Sequence, residues 1–102
     1  MRIDSKVVNS TLYIGLSGEL DEYASEYARR TLDRILDGEK MTRVVVDMSE
    51  TSFMDSTGIG VMIGRFKKLK SRGIPIFIAN PSRAADKILA LTGIYEIIPK
   101  IS

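Results

Sequence analysis

A run of three consecutive valines at residues 44–46 constrains the fold more than any other feature of the sequence. A short β-branched run of this kind is typical of a strand that is covered on both faces, as in a parallel sheet. Segments of helical periodicity flank it on both sides, over residues 22–37 and 57–71. Because parallel strands need crossover connections, this arrangement predicts an α/β fold with a mainly parallel sheet.

Four further segments are predicted to be strands, which gives a sheet of about five strands. They are residues 3–8, 12–17, 74–79 and 95–98. The first two are separated by a short polar turn, which predicts an antiparallel hairpin. A third helix is predicted to begin at Asn80 and Pro81 and to end at Gly93. We therefore expect one domain over residues 1–102, with the order ββαβαβαβ, a mixed sheet and three helices.

The composition excludes several kinds of chemistry. The sequence has no histidine, which removes the commonest general base and the Ser–His and Cys–His nucleophile systems. It also has no cysteine, so disulfides and thiolate metal sites are impossible. No apolar run approaches the roughly 20 residues needed to cross a bilayer, and residues 1–6 do not resemble a signal peptide. We expect a cytoplasmic protein that is not an enzyme and that uses no cofactor or metal.

The only basic cluster lies near the end of the second predicted helix, in residues 65–72, which contain no acid. Such a cluster could bind nucleic acid. Cations are also favourable at the carboxyl end of a helix, where they offset the negative end of the helix dipole. We favour this second interpretation and expect no direct contact with nucleic acid.

Three glycines stand in the first two turns of the second predicted helix, at Gly58, Gly60 and Gly64. Each glycine inside a helix costs up to about 1 kcal/mol relative to alanine. One possible reason is close packing of the helix against the sheet. Another is that a second molecule must approach the backbone near Ser56. For Gly64 we favour packing.

Ser56 is predicted to lie at or beside the start of this helix, next to Asp55. One interpretation is a serine that caps the helix. The other is a phosphoacceptor, because phosphoserine adds a charge of about −1.5 to −2 and a helix N-terminus tolerates an anion. Phosphorylation would then make the surface anionic without changing the fold.

Three enzyme motifs resemble parts of this segment, and each departs from its pattern. Residues 55–58 have one residue more than the Asp-Thr-Gly motif of aspartic proteases, and a helix follows instead of a strand. The three glycines do not directly follow a strand, as they would in a dinucleotide-binding site. A phosphate-binding loop would need a lysine after its second glycine, whereas Gly64 is followed by Arg65, and the spacing of the glycines is also wrong. A nucleotide-binding protein remains an alternative.

Residues 52–65, with Asp-Ser-Thr-Gly-Ile-Gly at their centre, closely resemble the central motif of bacterial anti-sigma factor antagonists, the group that defines the STAS domain. Residues 18–21, Gly-Glu-Leu-Asp, resemble the second motif of that family at the matching distance upstream. The resemblance covers essentially the whole chain and implies the STAS fold. It is strongest to the sporulation and general-stress antagonists.

The resemblance implies partner switching in transcription regulation. The unphosphorylated protein would bind a GHKL-type anti-sigma factor serine kinase and release the sigma factor that the kinase holds. The kinase would phosphorylate Ser56, which matches the phosphorylated serine of the family, and a PP2C-type phosphatase would remove the phosphate. Asp21 and Asp55 match acids that flank the kinase contact. Gly58 and Gly60 match the glycines that open the helix.

Two departures from the family pattern affect these expectations. Ala24 stands where relatives often carry threonine, and relatives usually continue into a C-terminal helix beyond the position of Ser102. One side of the sheet is then less covered, so we expect a monomer or a weak dimer. The alternative function is a STAS regulatory module of another assembly, stressosome-like or for lipid or anion transport.

Overall fold

The computed structural model describes all residues 1–102. The strands are β1 (Arg2–Val8), β2 (Thr11–Leu20), β3 (Arg43–Asp47), β4 (Thr51–Met54) and β5 (Ile76–Ala79). The helices are α1 (Ser25–Gly38), α2 (Ser56–Ser71) and α3 (Arg83–Thr92), followed by a 3₁₀ turn over Ile94–Glu96. The predicted class, five strands and three helices, is confirmed, although the order of the elements is different.

The sheet is mixed and mainly parallel, as predicted. β1 and β2 form an antiparallel hairpin joined by Asn9 and Ser10. Both residues have positive φ, 50° and 65°, which is the geometry of a two-residue type I′ turn. β2 pairs in parallel with β3, and β3 pairs in parallel with β5. The hairpin thus places β1 at one edge of the sheet and β2 next to its centre.

The fifth strand is not where the sequence predicted it. Residues 95–98 form no strand, because the chain turns there: the amides of Ile97 and Ile98 donate to the Ile94 carbonyl oxygen at 3.0 and 2.8 Å. The missing strand is β4, which pairs in parallel with the last residues of β2 after a register shift at Gly18 and Glu19. β4 has four residues and a burial pattern without strict alternation, so periodicity could not detect it.

Two helix starts also differ from the prediction. α1 begins at Ser25, after a turn in which the Asp21 carboxylate accepts a hydrogen bond from the Ala24 amide at 3.0 Å. α3 begins at Arg83, with the Ser82 hydroxyl as its cap. Asn80 cannot open that helix, because its φ of 50° is left-handed.

One core fills the space between the sheet and the three helices. Alternate residues of the sheet contribute to it, namely Leu12, Ile14 and Leu16 of β2, Val44 and Val46 of β3, and Ile76 and Ile78 of β5. Val45 points to the opposite face, where it is paired in register with Tyr13 and Phe77. It is nevertheless buried. Val45 is therefore flanked by residues of β2 and β5, and not covered by a second layer of helices.

The basic segment of α2 is paired with acids of α1. Arg65 lies 3.0 Å from the carboxylate of Asp33, and Lys68 lies 3.4 Å from the same carboxylate and 3.0 Å from Asp37. The Arg72 guanidinium donates to the Leu36 carbonyl oxygen at 3.2 Å. These cations hold two helices together, a role in the fold that the prediction of a favourable position in the helix dipole did not include.

A polar cluster fixes the last residues of the chain to α3. The Tyr95 hydroxyl donates to Asp86 at 2.6 Å, and the Lys100 ammonium donates to the same oxygen at 3.2 Å. The hydrogen bond from Tyr95 and the bond and charge of Lys100 lower the pKa of Asp86 below 3.8. Burial, together with the carboxylate of Asp86, raises the pKa of Tyr95. Residues 99–102 then extend along β5, with a parallel bridge between Ile78 and Lys100.

We predict that Tyr95→Phe makes folding less stable at neutral pH and less sensitive to acid. The lowered pKa of Asp86 means that the unfolded chain binds more protons than the folded chain just below pH 3.8, so stability falls there as the pH decreases. Without the hydroxyl, the pKa of Asp86 should rise towards 3.8. NMR titration of Asp86 and urea unfolding at neutral and acid pH measure both effects. An unchanged pKa of Asp86 in the variant would contradict this account.

Candidate functional site

The two acids singled out in the sequence follow the ends of neighbouring parallel strands. Leu20 of β2 and Met54 of β4 are paired in register, so Asp21 and Asp55 leave the sheet side by side. The Asp55 amide donates to the Leu20 carbonyl oxygen at 3.4 Å, which ties the two strand ends together. Residues 18–21 and 52–65, far apart in the sequence, therefore form one surface at the carboxyl edge of the sheet. In α/β sheets this edge commonly carries the binding site.

Asp55 caps helix α2. Its backbone is extended, and its carboxylate accepts a hydrogen bond from the Gly58 amide at 3.0 Å. The carbonyl oxygen of Asp55 accepts the first bond of the helix, from Ile59 at 3.1 Å. The interpretation of Ser56 as the capping residue is therefore wrong, because the neighbouring aspartate performs that role.

Ser56 is the first residue of α2 and its side chain is exposed. Its hydroxyl makes no hydrogen bond within the chain, since the fold already has its cap in Asp55. The amides of Ser56 and Thr57 precede the first bond of the helix, so they have no partner in it. An exposed hydroxyl thus stands at the amide-rich end of a four-turn helix, where the dipole favours negative charge.

Gly58 allows α2 to approach the end of β2. A Cβ atom at this position would lie 2.5 Å from the Leu20 carbonyl oxygen and 3.0 Å from the Leu20 side chain. Close packing is therefore the reason for this glycine. The same explanation is wrong for Gly64, which has nothing within 4 Å of the Cβ position, and it does not apply to Gly60, which is equally open.

A hydrogen-bonded loop supports β4 from the other side. The Asp47 carboxylate at the end of β3 accepts bonds from the Ser49 amide, the Ser49 hydroxyl and the Asn80 side chain. Partial burial by itself would raise the pKa of Asp47, but these donors outweigh it and lower the pKa below 3.8. The Gly18 amide also donates to the Glu50 carbonyl oxygen at 3.0 Å. The loop that leads into β4 is thereby held against β2.

Exposed apolar side chains on the elements of this edge were not identified from the sequence. Tyr23 is 89% exposed in the turn after Asp21. Phe53 of β4 and Leu91 of α3 are 48% and 82% exposed, and both line one groove of about 360 Å³. For Leu91 the sequence did contain a signal. Leu91 lies two residues after Leu89, and residues two apart on a helix point to different faces, so both could not be buried on the same side.

The chain contains no cluster of acidic side chains that could hold a metal ion. None of its helices is both long and apolar enough to cross a membrane.

Comparison with known proteins gives a consistent result. The family model described as the STAS domain matches residues 2–102. The anti-sigma F factor antagonist of Paenibacillus polymyxa is 27% identical over 99 residues, which cover 97% of this chain and 85% of the relative. The solved anti-sigma factor antagonist SpoIIAA in its unphosphorylated form is 26% identical, with a TM-score of 0.80 over 99% of this chain and 89% of that one. The phosphorylated form of the Bacillus cell fate determinant SpoIIAA is 28% identical, with a TM-score of 0.71 over 99% and 92%.

We predict opposite effects for two matched glycine substitutions in α2. Gly58→Ala should lower the free energy of unfolding by about 1–3 kcal/mol, because the added methyl group must displace backbone at Leu20. Gly64→Ala should raise it by up to about 1 kcal/mol, because the site is open and alanine favours the helix. Urea unfolding of both variants and the parent measures this. Equal effects would show that contact with Leu20 is not what selects glycine at position 58.

Proposed function

The chain belongs to the STAS domain family, and from that premise we propose that it is an anti-sigma factor antagonist controlled by phosphorylation of Ser56. In this proposal residues 1–102 form one STAS domain. The observation that carries it is the position of the Ser56 hydroxyl, exposed and unbonded at the start of α2. Relatives of matching length are named as antagonists, and structures of SpoIIAA have been solved in unphosphorylated and in phosphorylated form.

The unphosphorylated protein binds an anti-sigma factor serine kinase of the GHKL type and so releases the sigma factor that the kinase holds. The kinase transfers the terminal phosphoryl group of ATP to the Ser56 oxygen, and ADP stays on the kinase. The phosphoserine places a dense negative charge beside Asp55, where the kinase had met a neutral hydroxyl. An interface built around the neutral form then loses affinity through repulsion and through the cost of desolvating the added charge, so the complex dissociates.

The fold can accept the phosphate without rearrangement. Ser56 is exposed, so its modification buries no charge, and its hydroxyl gives up no hydrogen bond. The two unpartnered amides and the helix dipole favour an anion there. The carboxylate of Asp55 works against it by repulsion, but that carboxylate is already engaged with the Gly58 amide. The switch therefore lies in the surface charge and not in the stability of the domain.

The partner contact includes Asp21 and Asp55 beside Ser56, and the open backbone at Gly60. Gly58 acts indirectly, because it holds the start of α2 against Leu20. The exposed Tyr23, Phe53 and Leu91 supply the apolar area that an interface core needs, since aromatic anchors contribute most of the binding energy in protein interfaces.

The protein acts in this scheme as substrate and ligand and not as a catalyst. It needs no cofactor of its own, because ATP is bound by the kinase. A PP2C-type phosphatase restores the hydroxyl, for which the exposed position of Ser56 leaves room.

We predict that incubation with an anti-sigma factor serine kinase from the same genome and ATP adds one phosphate, at Ser56. Ser56→Ala should accept none. Ser52→Ala is the matched control, because Ser52 is an exposed serine of the same motif and should not be modified. Mass spectrometry of the intact proteins and their peptides gives the number and position of phosphates. Phosphate on the Ser56→Ala variant would disprove the assignment.

We further predict that Ser56→Asp binds the same kinase at least about tenfold more weakly than the parent, a loss of about 1.4 kcal/mol. In Ser56→Asn the side chain has nearly the same shape as aspartate but no charge, so this variant should bind more tightly than Ser56→Asp. Ser52→Asp places the same charge four residues away and should have little effect. Titration calorimetry in the presence of ADP measures all four proteins. Equal affinities of the Asp and Asn variants would rule out charge as the switch.

A further inference from the structure

The outer edge of β1 is the one long strand edge of the sheet that nothing covers. β1 pairs only with β2, and every residue of the strand except Ile3 is exposed. At the opposite edge, residues 99–102 protect β5, where the Ile78 amide donates to Pro99 and the Asn80 amide donates to Ser102. An uncovered edge presents free amide and carbonyl groups that can pair with another strand.

The turn geometry determines which groups of β1 are free. Val8 and Thr11 close a two-residue turn, so they are hydrogen-bonded to each other. Bonded and non-bonded positions alternate along an antiparallel ladder. The residues with even numbers therefore bond to β2, and the amides and carbonyls of Ile3, Ser5 and Val7 point outwards.

We propose that β1 pairs antiparallel with β1 of a second copy of this chain, with Ser5 opposite Ser5 at the two-fold axis. In this register Ile3 of one copy lies opposite Val7 of the other. These three residues of each strand then exchange both of their outward backbone hydrogen bonds. The result is a homodimer with one continuous sheet of ten strands.

The side-chain charges select this register over its neighbours. With Ser5 at the axis, Asp4 of one copy lies opposite Lys6 of the second copy, and Lys6 lies opposite Asp4. A slip by two residues in one direction places Asp4 opposite Asp4, and in the other direction Lys6 opposite Lys6. A slip by one residue places the outward-pointing backbone groups of one strand opposite residues of the other strand whose amides and carbonyls already bond to β2. Opposite charges facing each other across strands are favourable and like charges are unfavourable.

The apolar side chains agree with the same register. Ile3 and Val7 are paired in register with the buried Leu16 and Leu12, so they lie on the face that the helices cover. Val7 is 37% exposed in the single chain. Opposite Ile3 of the second copy, it would extend the core across the axis, and the small Ser5 leaves space there.

Charged side chains on an edge strand commonly prevent it from pairing with a strand of another chain. Here Arg2, Asp4 and Lys6 alternate in sign, so a slip of two residues sets like charges opposite each other, whereas the register about Ser5 sets opposite charges opposite each other. The salt bridge between Arg2 and Asp4, at 3.3 Å, is exposed and holds the carboxylate only weakly. Because the strands of the two copies run in opposite directions, the two Ser56 sites lie at opposite ends of the dimer and stay accessible.

Sedimentation velocity from about 10 µM to about 1 mM tests the dimer, since a contact of one strand is small and binds weakly. The parent should shift from monomer to dimer over this range. Ser5→Pro removes only an outward amide, so it should raise the dissociation constant about tenfold or more while urea unfolding of the monomer changes little. A parent that stays monomeric to about 1 mM overturns the proposal.

A charge swap tests the register. Lys6→Asp and Asp4→Lys each place like charges opposite each other, so each should weaken the dimer. The double variant Asp4→Lys with Lys6→Asp restores opposite charges in the same register and should recover dimerisation. NMR hydrogen exchange should show protection of the amides of Ile3, Ser5 and Val7 that rises with protein concentration. Dimerisation that is insensitive to both single variants would place the contact elsewhere and refute the pairing.

Discussion

The close approach of the first turn of α2 to the end of β2 is the contact on which the functional surface depends. Gly58 has no Cβ atom, so the helix can rest on the Leu20 carbonyl oxygen. The Asp55 amide bonds to the same carbonyl, and the Asp55 carboxylate caps the helix. One strand end thereby positions the cap, the helix start and the hydroxyl of Ser56. A larger residue at position 58 would displace all of them together.

A division of labour between neighbouring residues follows from this arrangement. Asp55 caps the helix, and the exposed Ser56 hydroxyl makes no hydrogen bond within the chain, so the proposed modification would break no contact of the fold. The helix dipole favours an anion at this end. In the proposed switch, a phosphate there changes what the surface can bind, while the buried face of α2 and the rest of the core stay the same. A small domain can switch partners in this way without a second conformation.

The two edge strands of the sheet, β1 and β5, differ in how they are covered. At β5 the edge is protected by the final residues of the chain, which Tyr95 and Asp86 help to fix in place. At β1 the edge is open, and its alternating charges are self-complementary about Ser5. The candidate functional surface lies at the carboxyl ends of β2 and β4, so the proposed pairing at β1 and the proposed binding at Ser56 involve separate surfaces.

The sequence by itself determined the α/β class, the hairpin and the extent of α2, because these follow from local periodicity and turn chemistry. It also indicated residues 52–65 as the segment of the candidate site, through their glycines and their resemblance to a family motif. Only the tertiary structure decided where the fifth strand lies, because β4 exists through its pairing with β2 and not through its own pattern. The tertiary structure also decided which glycine of α2 is required by packing, since the contact between Gly58 and Leu20 joins residues distant in sequence. For the same reason, only the fold brings Asp21 beside Asp55.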